Sequence, residues 1–152
     1  MVSSQFESIL KEFELFFNCS LKADENESCL IQMGIGVNIQ IELNREGKLL
    51  IGCRIATLPL GRFLHEVVKE ALKANDFYPP SSGIFGFSHK SSNLILYTLI
   101  DPYQLDQNKI ESILSPFVAK AKIWSDALNQ GNVPYITEIT NTPPAPPFGY
   151  QR

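Results

Sequence analysis

Charge is scarce in this sequence: 19% of its 152 residues are Asp, Glu, Lys or Arg, against about 25% in an average soluble domain. Thirteen basic against sixteen acidic residues leave a net charge of −3, which excludes a basic nucleic-acid-binding domain. Hydrophobic residues still make up 44%, which excludes a disordered chain. No apolar run approaches the roughly 18 residues of a membrane span. Glu7, Glu12 and Glu14 stand where a signal peptide would be basic, so a cytoplasmic chain without leader, anchor or membrane insertion is expected. Histidine occurs only at 65 and 89, with no acid or thiol at ligand spacing; no metal is expected. Cys19, Cys29 and Cys53 are an odd number without C-x-x-C spacing and read as reduced thiols. The triplets Asn18-Cys19-Ser20 and Asn26-Glu27-Ser28 match a glycosylation site, but without a secretion signal they read as chance. Low charge beside 11% aromatic residues implies apolar surface that something else covers.

The length suits one domain with a core of its own. Phe6, Ile9, Leu10, Phe13, Phe16 and Phe17 form an i, i+3, i+4, i+7 ladder, which predicts a first helix from Ser3 or Ser4 to Asn18, with Ser4 and Glu7 spaced as a capping box. Its four Phe exceed what one helix needs to seat itself. Residues 22–28 are polar and acidic and suit an exposed connection. Cys29–Met33, the alternating run from Val37 to Leu43, and Leu49–Ile55 read as an antiparallel meander, with a turn at 44–47. A second helix over Arg62–Asn75 carries Phe63, Leu64, Val67, Val68, Ala71 and Leu72, an apolar surface wide for a surface helix, as expected either of one that also meets a second subunit or of one deeply buried. Strands follow at Ile84–Phe87 and Asn93–Ile100. The last is apolar on both faces and belongs in the sheet centre or at an interface. Leu105 to Leu128 form a third helical ladder over about 106–130, in which Pro116 calls for a kink or a boundary.

Five of the ten prolines fall in 133–152, including 143–147, so residues 1–132 read as the domain and 133–152 as a proline-rich flexible tail. The expected architecture is α+β: an antiparallel twisted sheet with three helices in the order α-β-β-β-α-β-β-α, plus that tail.

Catalytic signatures fail. Gly34-Ile35-Gly36 lacks the third glycine and the following helix that a phosphate site requires. No cofactor is expected. Cys53 alternates onto the predicted core face, where a thiol is an inert small hydrophobe. The acids of the first helix lie opposite its apolar stripe, as a solvated face does. A thiol enzyme using Cys53 and His65 stays open as an alternative, and Cys53→Ala tests it.

Several strings taken in order resemble the class I chaperones of bacterial type III secretion, the Tir chaperone family, over about 3–128. Ala71-Leu72-Lys73-Ala74-Asn75 looks like the family's ending of helix two. Ile51 to Leu60 is similar to its strand closing in a Leu-Pro turn. Asp101-Pro102 and the series Phe117-Val118, Ala121, Trp124 resemble its approach to and course through the last helix. The resemblance implies a homodimeric cytoplasmic bacterial protein without enzymatic activity. Such a protein binds the N-terminal chaperone-binding segment of secreted effector proteins and keeps it extended.

A client of this kind requires apolar pockets and a free strand edge. The expected effector-binding residues are Phe6, Phe13, Phe16, Phe17, Ile31, Met33, Ile35, Ile39 and Ile41. For the dimer the resemblance implies Leu60, Phe63, Leu64, Val67, Val68, Leu72, Ile84, Phe85 and Phe87. Residues 45–73 carry a net +3 and residues 1–27 a net −4, a division suited to orienting a client or the secretion ATPase. An alternative is a generic interaction or regulatory domain of the same fold, with Pro143-x-x-Pro146 and Pro144-x-x-Pro147 as ligands for an SH3-like partner.

Overall fold

A computed structural model describes residues 3–103 and 105–136. Helix α1 (Ser4–Phe17) begins one residue earlier than the Ser4–Glu7 box requires: Ser3 is the N-cap, and its hydroxyl accepts from the Phe6 N–H at 3.2 Å. The reach-back carboxylate of a capping box is supplied from elsewhere. Glu27 Oε1 accepts the Ser3 N–H at 2.7 Å, tying the helix start to the chain just before β1. These Ser3 hydrogen bonds hold the Glu27 carboxyl below its ordinary range.

Strands β1 (Ser28–Gln32), β2 (Asn38–Leu43) and β3 (Leu49–Thr57) form the antiparallel meander. The tight turn between β2 and β3 is fixed by Asn44, whose side-chain oxygen accepts from the N–H groups of Glu46 and Lys48 at 2.9 and 2.8 Å. Helix α2 (Arg62–Phe77) and a 3-10 turn (Pro80–Ser82) lead to the hairpin of β4 (Ile84–Ser88) and β5 (Asn93–Ile100). The sheet order is β1-β2-β3-β5-β4. The strand apolar on both faces is therefore β5, flanked by neighbours on each side.

Helix α3 (Gln107–Asn129) runs unbroken through Pro116. Pro116 is exposed, so the carbonyl it leaves without a helix partner, that of exposed Ser112, is open to water instead of buried. Helices α1 and α3 cover one face of the sheet, and the core between them holds Phe6, Phe13, Phe117, Trp124 and the inward side chains Ile39, Ile41 and Ile51. Helix α2 lies along β4. Its Asn75 stands in for a sixth strand: Nδ2 donates to the Phe85 carbonyl at 2.9 Å and Oδ1 accepts the Phe85 N–H at 2.7 Å. The packed body continues past α3, with Pro134 and Ile136 buried, so four residues that composition assigns to the tail belong to it. The rest of the tail, with both P-x-x-P spacings, lies outside the described residues.

Candidate functional site

Alternation along the strands sends every second side chain to the sheet face that no described helix covers. Register aligns Leu30, Gln40, Gly52, Tyr97 and Ile84 in one row across all five strands. Leu50 pairs with Leu99, and Arg54 with Ile95, in the neighbouring rows. Leu30 is 60% and Leu99 53% exposed. An open cleft of about 1080 Å³ crosses this face between Leu30, Leu50, Ile95 and Tyr97 and continues past the β-bulge at Arg54/Ala56 to the end of α3. Asn38, Gln40, Glu42 and Arg54 supply its polar groups. Such a surface binds by apolar contact with a few orienting hydrogen bonds.

Each edge of the sheet is tied at one residue. Asn75 occupies the outer backbone of β4 at Phe85, and Asp24 does the same on β1, where its N–H donates to the Ser28 carbonyl at 2.8 Å and its carboxylate accepts the Ser28 N–H at 3.0 Å. Beyond Ser28 no described strand pairs with the outer side of β1, which leaves the backbone groups of Leu30 and Gln32 for an added strand.

The residues expected to bind an effector divide by depth. Phe6, Phe13, Ile31, Ile39 and Ile41 are core, each at most 4% exposed. Phe16, Phe17 and Met33 are half-buried and Ile35 is exposed. The Phe rings of α1 pack on one another, Phe16 edge-on to Phe17 with centroids 5.1 Å apart, and Leu15 beside them is exposed. Leu30, Leu50, Ile95, Tyr97 and Leu99 were not singled out from sequence. Their signal is a strand whose second face is also apolar, visible in β5 and weak in β1 and β3.

Of the residues expected at a dimer interface, Leu64, Val67 and Phe85 are buried within the chain, Phe63, Val68, Ile84 and Phe87 are half-buried, and Leu60 and Leu72 are exposed. Leu64, Val68 and Leu72 at i, i+4, i+8 line a shallow groove of about 590 Å³ closed on one side by Phe87. His65 and Lys69 form its polar rim.

Reactive groups are placed otherwise. Burial pushes the thiols of Cys29 and Cys53 up, that of Cys53 to about 11, which keeps it protonated and a poor nucleophile at neutral pH. Its sulfur lies 3.6 Å from the Arg54 carbonyl, while His65 is exposed on α2. Lys120, also unremarked in sequence, is buried on α3; Nζ donates to the Gly83 carbonyl at 2.8 Å and sits 4.7 Å from the Tyr78 ring centroid and 5.1 Å from that of Phe85. Burial lowers its pKa to about 8. Its position three after Phe117 and four before Trp124, on the apolar ladder itself, is the signal that marks it. Among the described residues no group of three or more His, Cys, Asp or Glu could hold a metal ion, and no helix is long and apolar enough to cross a membrane.

The sequence matches the Tir chaperone protein (CesT) family over residues 8–125. No curated protein matches it. Among solved structures, a chain of the ExsC–ExsE complex is 22% identical and superposes with a TM-score of 0.65, covering 84% of this chain and 97% of that one. A chain of the ExoT–SpcS complex from Pseudomonas aeruginosa is 19% identical, with a TM-score of 0.62 and coverage of 81% and 99%. The Yersinia pestis type III secretion chaperone SycH, solved with a stable fragment of YscM2, gives 17% identity, a TM-score of 0.60 and coverage of 78% and 98%.

Proposed function

This chain belongs to the Tir chaperone protein (CesT) family, and we propose that it is a type III secretion chaperone that binds the N-terminal chaperone-binding segment of one or more effector proteins in the bacterial cytoplasm. The observation that carries this reading is the uncovered sheet face, with its cleft of about 1080 Å³, beside the outer edge of β1, which beyond Ser28 has no described strand paired to it. A guest held there stays extended: its backbone pairs with β1 while its apolar side chains enter the cleft. Of the residues expected from sequence, Phe16, Phe17, Met33 and Ile35 reach the surface and can meet the guest, and Leu30, Leu50, Ile95 and Tyr97 join them. Phe6, Phe13, Ile31, Ile39 and Ile41 act from beneath by fixing the sheet.

Two copies associate through α2, whose groove of Leu64, Val68, Leu72 and Phe87 meets its own equivalent across a two-fold axis, with Leu60, Phe63 and Ile84 at the margin. Val67 and Phe85 support that face from the core. No catalysis is assigned to the chain. The basic stretch 45–73 is a candidate contact for the secretion ATPase. The HopA1–SchA chaperone–effector complex, a chain of which shares this fold at a TM-score of 0.57, supports effector binding as its work.

Co-expression with candidate effectors, most usefully any large gene product encoded beside this one, tests the reading. The expected product is a stable complex of two copies with one effector N-terminal segment, by light scattering after gel filtration. A lone monomer that retains no such client overturns it.

A further inference from the structure

Helix α3 ends in a reversal. Gly131 adopts φ +78, a conformation open to glycine, and the N–H groups of Gly131 and Asn132 close onto the carbonyls of Leu128 and Ala127 at 3.1 and 2.8 Å. The chain then turns back over α2. Pro134 and Ile136 are buried, Val133 is half-buried against the core and Tyr135 points outward. The Ile136 N–H donates to Glu70 Oε1 at 3.1 Å, and Lys73 Nζ lies 3.0 Å from Glu70 Oε2.

Glu70 is 3% exposed, in the middle of a helix that packs chiefly on β4. A buried carboxylate is costly unless hydrogen-bonded and paired. Burial works to raise its pKa, yet the Ile136 N–H and the Lys73 ammonium outweigh that and hold it below the usual range. On α2, Glu70 and Val68 are two residues apart, hence about 160° apart around the axis. The segment after α3 therefore grips one flank of α2, and the Leu64–Val68–Leu72 groove opens on the other. The match to the family ends at residue 125, so the carboxylate lies inside the matched region and its backbone donor outside it.

We propose that Val133–Ile136 is a clasp docked in cis on Glu70, bracing α2 from the flank opposite its open groove and so setting the rigidity with which that groove is offered to a second copy. The coupling to self-association rests on the dimer reading above; the brace itself does not. Without the clasp α2 keeps its packing on β4 and the core but loses the tie at Glu70, and a docking surface that must be ordered on binding associates more weakly.

The test uses the full chain as wild type, Glu70→Ala, Glu70→Gln and Ile136→Ser, with amide hydrogen exchange and dilution-dependent sedimentation as readouts. In the wild type the Ile136 amide is expected to exchange about 100-fold slower than an open amide. Glu70→Ala and Ile136→Ser abolish that protection, speed exchange across residues 64–74, and raise the concentration of half-dissociation about tenfold. Glu70→Gln, which keeps the acceptor, retains most of the Ile136 protection. An unprotected Ile136 amide in the wild type overturns the clasp, as does its loss in Glu70→Ala with exchange over 64–74 unchanged. A wild type that is monomeric at all concentrations sinks the dimer reading, and exchange in α2 then decides the brace alone.

Discussion

Gly83 stands where the 3-10 turn enters β4, at φ +107, and a Cβ there would meet Leu96 Cδ1 at 2.9 Å and Phe117 Cδ2 at 3.0 Å. Both the backbone and the space demand glycine, so Gly83→Ala is expected to lower stability by about 2–4 kcal/mol, read as a fall in the urea midpoint with unchanged slope. Its carbonyl is the acceptor for Lys120, the buried ammonium that has aromatic faces but, among the described residues, no carboxylate in salt-bridge reach. Because the Lys120 pKa is lowered to about 8 in the folded chain, against about 10.4 unfolded, the charged form is penalised by folding. That penalty is complete below pH 8 and fades as pH rises toward 10.4. Wild-type stability measured relative to Lys120→Met is therefore expected to climb by about 1–3 kcal/mol between pH 7 and 10. A flat difference across that range would show that water reaches the ammonium. From sequence neither residue drew notice, since one glycine after Pro-Ser-Ser reads as a turn and one lysine on a long helix reads as solvated.

Element existence was legible because periodicity is local. The α1, β5 and α3 ladders each announced their period, and the structure places them within two residues of the expected bounds. What periodicity leaves open is which neighbour each face meets. The breadth of apolar surface on α2 is used in three directions: Val67, Ala71 and Ala74 face inward, Glu70 takes the clasp, and Leu64, Val68 and Leu72 line the groove. The small-residue and Asn ending of the helix also gains a physical reason. Ala74 is fully buried, and Asn75 supplies donor and acceptor to the one Phe85 peptide edge, as a further strand would. Asn75→Ala leaves both groups unpaired beside a helix that limits water, with an expected loss of about 2–4 kcal/mol. The Phe85 amide reports it directly: protected in the wild type, it should exchange faster in the variant by a factor that exceeds the change in global stability.

At the scale of the whole molecule, composition pointed to covered apolar surface without saying where, and the four Phe of α1 looked like the surplus. The structure spends Phe6 and Phe13 on the core and exposes Leu30 and Leu99 on the far side of the sheet. Alternation alone cannot tell a strand face that packs on helices from one that waits for a guest, because both call for apolar side chains; only the placement of α1 and α3 on one face separates them. That separation can be measured. Leu30→Asp and Leu99→Asp change side chains on the uncovered face that are more than half exposed, where each should move stability by no more than about 0.5 to 1 kcal/mol, yet each places a charge where a guest's apolar side chains would be desolvated. Ile41→Ala, in the core, should cost about 2–5 kcal/mol and affect a client only through loss of the fold. Melting temperature and client retention, measured together on the three variants, should therefore move apart: near-native melting with the client lost for the two surface changes, and lowered melting with the client kept below that temperature for the core change. Native-level retention in both surface variants would move the client off this face, to the surface formed by Phe16, Phe17, Met33 and Ile35.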